Sequence, residues 1–328
     1  MYYNESNIFS ANQENFNTIA LDVFRYQYKN QATYREFCNG LKRNTENVFS
    51  IKQIPFLPIS FFKTESIIAE GFESQTVFES SGTTGSVNSK HPVASLALYE
   101  TSFKNAFKRF YGAAHQYCVL ALLPSYLEKG NSSLVYMAEQ LMRQSNHPEN
   151  GFFIHNFEEL AAKLAALEFM QQPVLLLGVT YALLDFAEQH PMPLRNTTII
   201  ETGGMKGRRK EMLREEVHQA LTQAFMVETI HSEYGMTELL SQAYSKEKGV
   251  FYCPPWMKVL VRDIYNPLQI IDKGKAGALN IIDLANVYSC AFIATDDIGV
   301  VHADGSFEVA GRKDNADVRG CSLMYEAS

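Results

Sequence analysis

The chain contains 328 residues, 46% of them hydrophobic and 20% charged, which is the balance of a folded globular protein and excludes disorder as its main state. The formal net charge of −7, with no long basic run, makes an extended nucleic-acid backbone an unsuitable partner. The five cysteines include no C-x-x-C pair, so they favour reduced thiols in a cytoplasmic protein over a disulfide framework or a zinc knuckle.

The N-terminal part of the chain is predicted to be mainly helical. Its polar start has no basic and apolar leader, so no secretory signal is expected. Between residues 13 and 50, apolar side chains recur with helical spacing. Pro55 and Pro58 then break the pattern and indicate a loop or an edge segment, because proline removes a backbone donor and disfavours helix before it. A short strand is predicted at residues 76–79.

Helices and strands alternate in the middle of the chain, which is typical of an α/β fold. We predict helices at residues 94–111, 157–167, 183–189 and 210–224, and buried strands at residues 117–123, 174–177 and 197–201. Asn156 can cap the second of these helices together with Glu159. The most apolar run, residues 173–187, is shorter than the ~20 residues that a bilayer-spanning helix needs, so we expect no membrane span.

From residue 250 onward the pattern becomes richer in strands. Alternating segments are predicted at residues 258–262 and 278–282, and a hairpin is predicted around Asp304-Gly305. We therefore predict an α/β protein in three parts. These are a layered α/β core of two subdomains over residues 1–249, a small β-rich subdomain over 250–314, and a tail over 315–328.

The first motif with candidate chemistry is the loop Ser80-Ser81-Gly82-Thr83-Thr84-Gly85-Ser86, which follows the strand predicted at residues 76–79. Such a loop can direct several backbone N–H groups and hydroxyls to one small volume, which suits a polyphosphate. Lys90 can add a positive charge. A surface loop without function is the alternative, because clusters of Gly, Ser and Thr are common. The dinucleotide and Walker A glycine patterns do not occur in the chain.

The second motif is Tyr234-Gly235-Met236-Thr237-Glu238. An aromatic ring beside a glycine turn can stack on a purine, while the Thr237 hydroxyl and the Glu238 carboxylate can serve a phosphate and Mg²⁺. The alternative is a turn that joins two strands, with Tyr234 packed in the core.

The third motif combines Asp297 with the sequence Gly311-Arg312-Lys313-Asp314. A carboxylate can accept both hydroxyls of a ribose, and a nearby arginine can donate to the same sugar or to a phosphate.

In this order and spacing, the three motifs resemble the adenylate-forming superfamily of acyl-CoA synthetases, adenylation domains and luciferases. The resemblance covers residues 76–314 and is closest to the LuxE-type acyl-protein synthetases. The finer matches are Ile54-Pro55, Leu123-Pro124-Ser125-Tyr126, Thr202-Gly203-Gly204 and Arg319-Gly320-Cys321. Many relatives place a Pro-Lys directly after the Thr-Thr-Gly-x segment, whereas Lys90 stands further along here.

The resemblance implies ATP and Mg²⁺ as cofactors and an adenylate-forming fold. It assigns ATP binding to Ser81, Gly82, Thr83, Thr84, Gly85, Tyr234, Gly235, Asp297 and Arg312. It gives catalytic roles to Thr237, at the α-phosphate, to Lys90, and to Glu238, which also binds the metal.

In multidomain relatives the aspartate of the Gly-Arg-x-Asp motif begins a hinge to a mobile C-terminal domain. Here the sequence ends at Ser328, soon after Asp314, so we expect that domain and its catalytic lysine to be absent. A thiolate attacks an acyl adenylate readily, and Cys321 beside Arg319 is the candidate acceptor, because a nearby positive charge favours the thiolate. A small buried hydrophobic residue is the alternative role for this cysteine.

The predicted function is therefore ATP-dependent activation of a carboxylic acid, with a fatty acid as the expected substrate, and transfer of the acyl group to a protein thiol. The expected partners are the small acid and a protein that accepts or reduces the acyl group. Two alternatives stay open. One is an acyl- or aryl-CoA ligase that releases free acyl-CoA, and the other is a non-catalytic nucleotide- or acyl-binding partner protein.

Overall fold

The computed structural model describes residues 3–80, 87–124, 127–128, 130–203, 209 and 212–312. The helices are α1 (Ser6–Phe9), α2 (Phe16–Asn30), α3 (Ala32–Gly40), α4 (Phe61–Thr64), α5 (Leu96–Tyr111), α6 (Ser133–Ser145), α7 (Phe157–Phe169), α8 (Thr180–Gln189) and α9 (Arg214–Phe225). The strands are β1 (Leu57–Pro58), β2 (Thr76–Glu79), β3 (Lys90–Val93), β4 (Cys118–Leu122), β5 (Gly151–Phe152), β6 (Val174–Gly178), β7 (Thr197–Glu201), β8 (His231–Tyr234), β9 (Ala243–Ser245), β10 (Met257–Arg262), β11 (Ala276–Asp283), β12 (Phe292–Val301) and β13 (Phe307–Arg312). Short 3-10 turns lie at Ile51–Gln53, Ala114–Gln116 and Leu284–Asn286.

A six-stranded sheet carries the middle of the chain, in the order β5-β4-β6-β7-β8-β9. Strands β5, β4, β6, β7 and β8 run parallel, and β9 pairs antiparallel with β8. Every residue of β4 and β6 is buried, as expected for parallel strands that are covered on both faces. Because parallel strands share one carboxyl edge, the loops after Gly178, Glu201 and Tyr234 leave the sheet on the same side.

A second, five-stranded sheet has the order β1-β12-β11-β10, with β13 also paired to β12. Strand β1 lies at its edge and pairs in parallel with β12, Pro58 opposite Ala294. An edge position suits proline, which has no N–H to donate to a ladder. The segment predicted as a loop or edge is thus confirmed as an edge strand. This sheet takes one strand from before residue 250, and the predicted three-part division of the chain stays a prediction.

The predicted elements of the α/β region agree closely with the structure. The strands predicted at residues 76–79 and 197–201 coincide with β2 and β7. Asn156 caps α7 as predicted, because its side chain accepts from Glu159 N at 3.1 Å and donates to Glu159 Oε2 at 2.8 Å. The predicted hairpin at Asp304-Gly305 joins β12 to β13, with Gly305 at a φ of 93°. The α/β class is confirmed.

The helix predicted at residues 183–189 spans Thr180–Gln189, and two other helix predictions differ from the structure at boundaries that a side chain sets. The region predicted as helical over residues 13–50 contains α2 and α3, separated by Gln31 in an extended conformation. The Gln31 side chain accepts from Tyr34 N and so starts a new helix. The helix predicted to begin at residue 210 begins at Arg214, where the Glu216 carboxylate accepts from Leu213 N at 2.7 Å. In both places a local side-chain cap sets the boundary, and apolar spacing does not detect it.

Aromatic side chains fill much of the core between the helices and the two sheets. Phe24, Tyr34 and Phe292 pack together where α2 and α3 cover the five-stranded sheet. Phe78, Tyr99 and Tyr136 form a similar cluster beneath the hairpin of β2 and β3. Among the helices described here, none combines the length and apolar character needed to cross a bilayer.

Candidate active site

The segment Gly235–Glu238 leaves the carboxyl end of β8 and leads to β9, which pairs antiparallel with β8. The segment is therefore a turn between two strands, as the structural alternative predicted, and it also lies at the edge where α/β proteins bind ligands. A Cβ atom on Gly235 would lie 2.3 Å from Glu233 Oε1, so a residue with a side chain does not fit there without movement. A larger residue at this position would therefore require the Glu233 carboxyl group to move.

Tyr234, Asp297 and Arg312 meet at one side of this turn. The Tyr234 hydroxyl donates to Asp297 Oδ2 at 2.7 Å, and Arg312 Nε lies 3.5 Å from Asp297 Oδ1. Asp297 and Arg312 are also paired in the register of β12 and β13. Burial raises the pKa of Asp297, and the Tyr234 hydrogen bond and the Arg312 charge oppose that rise. The Arg312 side chain is 74% exposed and therefore available to a ligand.

The Tyr234 ring packs against Phe251 and Phe307, with centroids 5.7 Å and 5.3 Å away. Its side chain is buried, and its hydroxyl is bonded to Asp297. This packing holds the Tyr234 ring in place beside Asp297. Stacking of Tyr234 on an adenine stays a prediction.

Glu238 is a buried carboxyl group, with 5% of the residue exposed. Burial raises its pKa, while a hydrogen bond with Ser89 and the positive charges of Arg312 and Lys63 lower it. The Glu238 carboxyl group is therefore influenced by one hydroxyl and by the charges of two cations. Thr237, the preceding residue, is half-buried.

The hairpin of β2 and β3 brings Ser80 and Ser89, which flank the glycine-rich motif, to the same region. Ser80 N donates to Ser89 O at 3.0 Å, and Ser89 N donates to Ser80 Oγ at 2.9 Å, so the two residues close the base of the loop between them. The ATP-binding residues predicted at Ser81, Gly82, Thr83, Thr84 and Gly85 lie outside the described residues.

Lys90 lies opposite Glu79 in the register of the same hairpin. Its Nζ is 4.0 Å from Glu79 Oε1, and its side chain is 64% exposed. Lys90 thus forms only a long ion pair with Glu79. Its catalytic role stays a prediction.

Three polar residues behind the turn were missing from the sequence prediction. His91 and Asn286 donate to the backbone carbonyls of Thr237 and Glu238, both at 2.7 Å. Asp283 accepts from Leu240 N at 2.8 Å. Burial lowers the pKa of His91 to about 4 and raises that of Asp283 to about 6, each opposed by hydrogen bonds. The sequence gives no signal for them, since the contacts join segments far apart in the chain.

Two further buried acids stand at this edge of the sheet and were also missed. Glu201, the last residue of β7, accepts from Thr180 Oγ1 at 2.6 Å and from Gly203 N at 2.7 Å. Glu233 faces α5, and burial followed by repulsion from Glu201 raises its pKa to about 8. Strand alternation explains why Glu233 and Tyr234 point to opposite faces of β8.

The described cysteines are poor nucleophiles. Cys38, Cys118 and Cys290 are buried, and Cys253 is half-buried. Burial raises the pKa of the Cys38, Cys118 and Cys253 thiols to about 12 in each case. The candidate acceptor, Cys321, lies outside the described residues.

No group of three His, Cys, Asp or Glu side chains forms a metal-binding cluster within the described ranges. Magnesium in nucleotide sites is held by one or two carboxylates together with substrate phosphates and water. The buried Glu238 carboxylate, with the Ser89 hydroxyl near it, fits that mode of binding. These residues suit a metal that enters with its nucleotide.

The β2–β3 hairpin, the turn after β8 and the β12–β13 pair are far apart in sequence, yet their polar side chains share one region. The hairpin reaches the turn through His91 and Ser89, and the β12–β13 pair reaches it through Asp297 and Arg312. Together these residues offer hydrogen-bond acceptors for a sugar, cations for phosphates and a carboxylate for a metal.

Comparison with known proteins places this arrangement in context. The sequence profile of the family described as "Acyl-protein synthetase, LuxE" matches residues 7–327. A long-chain-fatty-acid–luciferin-component ligase of Vibrio harveyi is 25% identical, with alignment over 92% of this chain and 84% of that protein. The protein of the same description from Aliivibrio fischeri is 24% identical, over 96% and 89%.

Solved structures share the fold at low sequence identity. A 2-hydroxyisobutyryl-CoA ligase in the postadenylation state, in complex with R3-HIB-AMP, gives a TM-score of 0.67 at 12% identity over 96% of this chain and 74% of that one. ATP-bound MatB from Rhodopseudomonas palustris gives 0.56 at 13% identity over 73% of this chain and 48% of that one. The chain thus covers about half of the MatB chain. At these identities the likeness shows the fold alone.

Proposed function

Because this chain belongs to the acyl-protein synthetase (LuxE) family, we propose that it activates a carboxylic acid with ATP and transfers the acyl group to a protein thiol. The family match bears out the resemblance predicted from the three motifs. A long-chain fatty acid is the proposed substrate, in keeping with the description of the Vibrio and Aliivibrio relatives.

The observation that carries the proposal is the convergence of Asp297, Arg312 and Glu238 on the turn after β8. The Glu238 carboxyl group is close enough to Arg312 for the arginine to lower its pKa, while Arg312 also pairs with Asp297. Asp297 would accept the ribose hydroxyls, and Arg312 would donate to the sugar or to a phosphate. ATP-bound MatB, which shares the fold, supports ATP as the nucleotide.

In the first step an oxygen of the acid's carboxylate attacks the α-phosphorus of ATP, and the bond to the leaving pyrophosphate breaks. Thr237 would donate to the α-phosphate oxygens as negative charge grows there. Glu238 would hold Mg²⁺, which supplies charge neutralisation for the phosphates when it is bound. The protein's own contribution is positioning, because the turn that bears Thr237 and Glu238 is fixed by hydrogen bonds from other segments.

In the second step a thiolate attacks the carbonyl carbon of the acyl adenylate, a thioester forms, and AMP leaves. The proposed acceptor is Cys321 or the thiol of a partner protein that takes or reduces the acyl group. The high pKa values of the described thiols make Cys38, Cys118 and Cys253 unsuitable for this role at neutral pH. We place the reaction in the cytoplasm, where an acceptor thiol stays reduced.

Acid-dependent exchange of labelled pyrophosphate into ATP tests the first step, with saturated fatty acids of several chain lengths as the panel. We expect exchange that requires both Mg²⁺ and an acid. The variant Glu238→Gln should lose most of that exchange, while Glu70→Gln, a substitution at an exposed surface carboxylate, should retain it. Absence of exchange with every acid would contradict the proposal.

The fate of the acyl group separates the proposed function from its alternatives. Labelled fatty acid should appear on the protein as a thioester that hydroxylamine cleaves, and Cys321→Ala should remove the label if that cysteine is the acceptor. Turnover that needs CoA and leaves no label on protein indicates a CoA ligase. Binding of ATP without any exchange indicates a non-catalytic binding protein.

A further inference from the structure

Two buried side chains hold the backbone of the Thr237–Glu238 turn from outside it. His91 Nδ1 donates to the Thr237 carbonyl at 2.7 Å, and Asn286 Nδ2 donates to the Glu238 carbonyl at 2.7 Å. His91 and Asn286 are both 0% exposed. The two donors lie 146 and 48 residues from their acceptors in sequence, so each bond ties the turn to a different part of the fold.

His91 and Asn286 are also fixed themselves. His91 Nε2 lies 3.1 Å from Asn286 Oδ1, and the Phe62 ring packs edge-on against the imidazole with centroids 5.5 Å apart. Gln27, from α2, donates to the Asn286 carbonyl at 3.0 Å. With Nδ1 bonded to the Thr237 carbonyl and a phenyl ring packed against it, the imidazole has little freedom to rotate.

The segment that leads into β3 lies near the Glu238 side chain as well as near the backbone of the turn. Ser89, two residues before His91, is close enough to the Glu238 carboxyl group to lower its pKa. One short segment therefore bonds to the Thr237 carbonyl and lies beside the Glu238 carboxyl group. This segment also closes the base of the glycine-rich loop, through Ser80 and Ser89.

We propose that His91 and Asn286 are positioning residues that set the Thr237 hydroxyl and the Glu238 carboxylate for the triphosphate. A turn outside a β-ladder has no strand partner to fix its carbonyl groups, so side-chain donors supply the rigidity. Groups that are already in place need no reorganisation when the nucleotide binds. The inference rests on the proposed function, because it requires ATP at this turn.

The test compares variants that each lack one of the two side-chain donors to the turn with a variant that keeps a donor at position 91. His91→Phe keeps a ring against Phe62 and removes the donor, whereas His91→Asn keeps an amide N–H near the position of Nδ1. Asn286→Leu removes the second donor. Ser145→Ala is the matched control, because Ser145 is buried and donates to a backbone carbonyl, Tyr117 O at 2.6 Å, at the amino-terminal edge of the sheet.

Equilibrium binding of ATP with Mg²⁺, measured by titration calorimetry below the melting temperature of every variant, gives the decisive readout. Loss of one donor to the turn should weaken ATP binding about tenfold in His91→Phe and Asn286→Leu, with recovery in His91→Asn to within about threefold of the wild type. Ser145→Ala should lose stability and keep its ATP affinity. In steady-state exchange, KM for ATP should rise while KM for the acid stays unchanged.

The outcomes separate this inference from the proposed function. A wild-type protein that binds no ATP overturns both. A wild-type protein that binds ATP, with His91→Phe and Asn286→Leu within twofold of it, overturns the positioning role alone. If His91→Phe does not fold, His91→Asn and Asn286→Leu decide between these results. If His91→Asn binds ATP no more tightly than Asn286→Leu does, the ATP affinity has not recovered. That result would also count against a role for the Nδ1 donor.

Discussion

Glu233 should make the protein less stable as the pH rises, and Glu233→Gln should remove that effect. The residue is 8% exposed and faces the tyrosines of α5, so its charged form lacks the hydration that it has in the unfolded chain. Burial, followed by repulsion from Glu201, raises its pKa from the ordinary 4.5 to about 8. At neutral pH the folded protein therefore keeps a proton that the unfolded chain has lost.

The sign and size of the effect follow from this difference in bound protons. Below pH 4.5 both states hold the proton, and the carboxyl group costs no pH-dependent stability. Between pH 4.5 and about 8 only the folded state holds it, so the free energy of unfolding falls with rising pH, by at most about 1.4 kcal/mol per pH unit. Relaxation of the protein and entry of water reduce the total to roughly 2 to 4 kcal/mol. Above pH 8 the loss is complete.

Urea unfolding of the wild type and of Glu233→Gln at intervals from pH 5 to pH 9 measures the effect. The stability of the variant relative to the wild type should increase with pH across the window up to about 8 and then level off. Glu46→Gln, at an exposed position, is the control for the loss of a surface charge and should follow the wild-type curve. A difference between Glu233→Gln and the wild type that stays constant with pH would refute the reasoning.

Two further substitutions test the contacts around the site. Tyr234→Phe removes the hydroxyl that donates to Asp297 at 2.7 Å and should cost about 1 to 3 kcal/mol in urea unfolding, whereas Tyr28→Phe, which loses a hydroxyl bond nearer the surface, should cost less. Equal costs would argue against a buried bond to a charged acceptor. Asp283→Ala leaves the N–H groups of Leu240 and Ser241 and the Ser241 hydroxyl without their acceptor and should destabilise the protein by about 3 to 5 kcal/mol. A loss below about 1 kcal/mol would contradict this prediction.

Much of the fold could be predicted because it depends on local patterns. Continuous apolar runs indicated β4 and β6, since parallel strands are covered on both faces. Asn156 and Glu159 indicated the start of α7 through a cap that spans three residues. The boundary between α2 and α3 was missed because the Gln31 side chain sets it. The pairing of β1 with β12 was missed because it joins residues more than 200 positions apart, which no local pattern records.

The candidate site was predictable only where a motif is contiguous in sequence. Asp297 and Glu238 could be selected from their motifs, and the structure brings their segments together. His91 and Asn286 could not be selected, because a buried histidine and a buried asparagine have no distinctive sequence neighbours. Their importance becomes visible only when the fold places them against the carbonyls of Thr237 and Glu238.

ATP binding with and without Mg²⁺ tests most directly whether these distant segments form one nucleotide site. The wild type should bind ATP, and Mg²⁺ should tighten the binding. Asp297→Ala should weaken binding at least about tenfold, as expected for a lost charge-assisted contact, and Glu238→Gln should lose the response to Mg²⁺. Asp272→Ala, at a side chain that is 82% exposed, should bind as the wild type does. Equal ATP affinity and equal Mg²⁺ response in all four proteins would contradict the account.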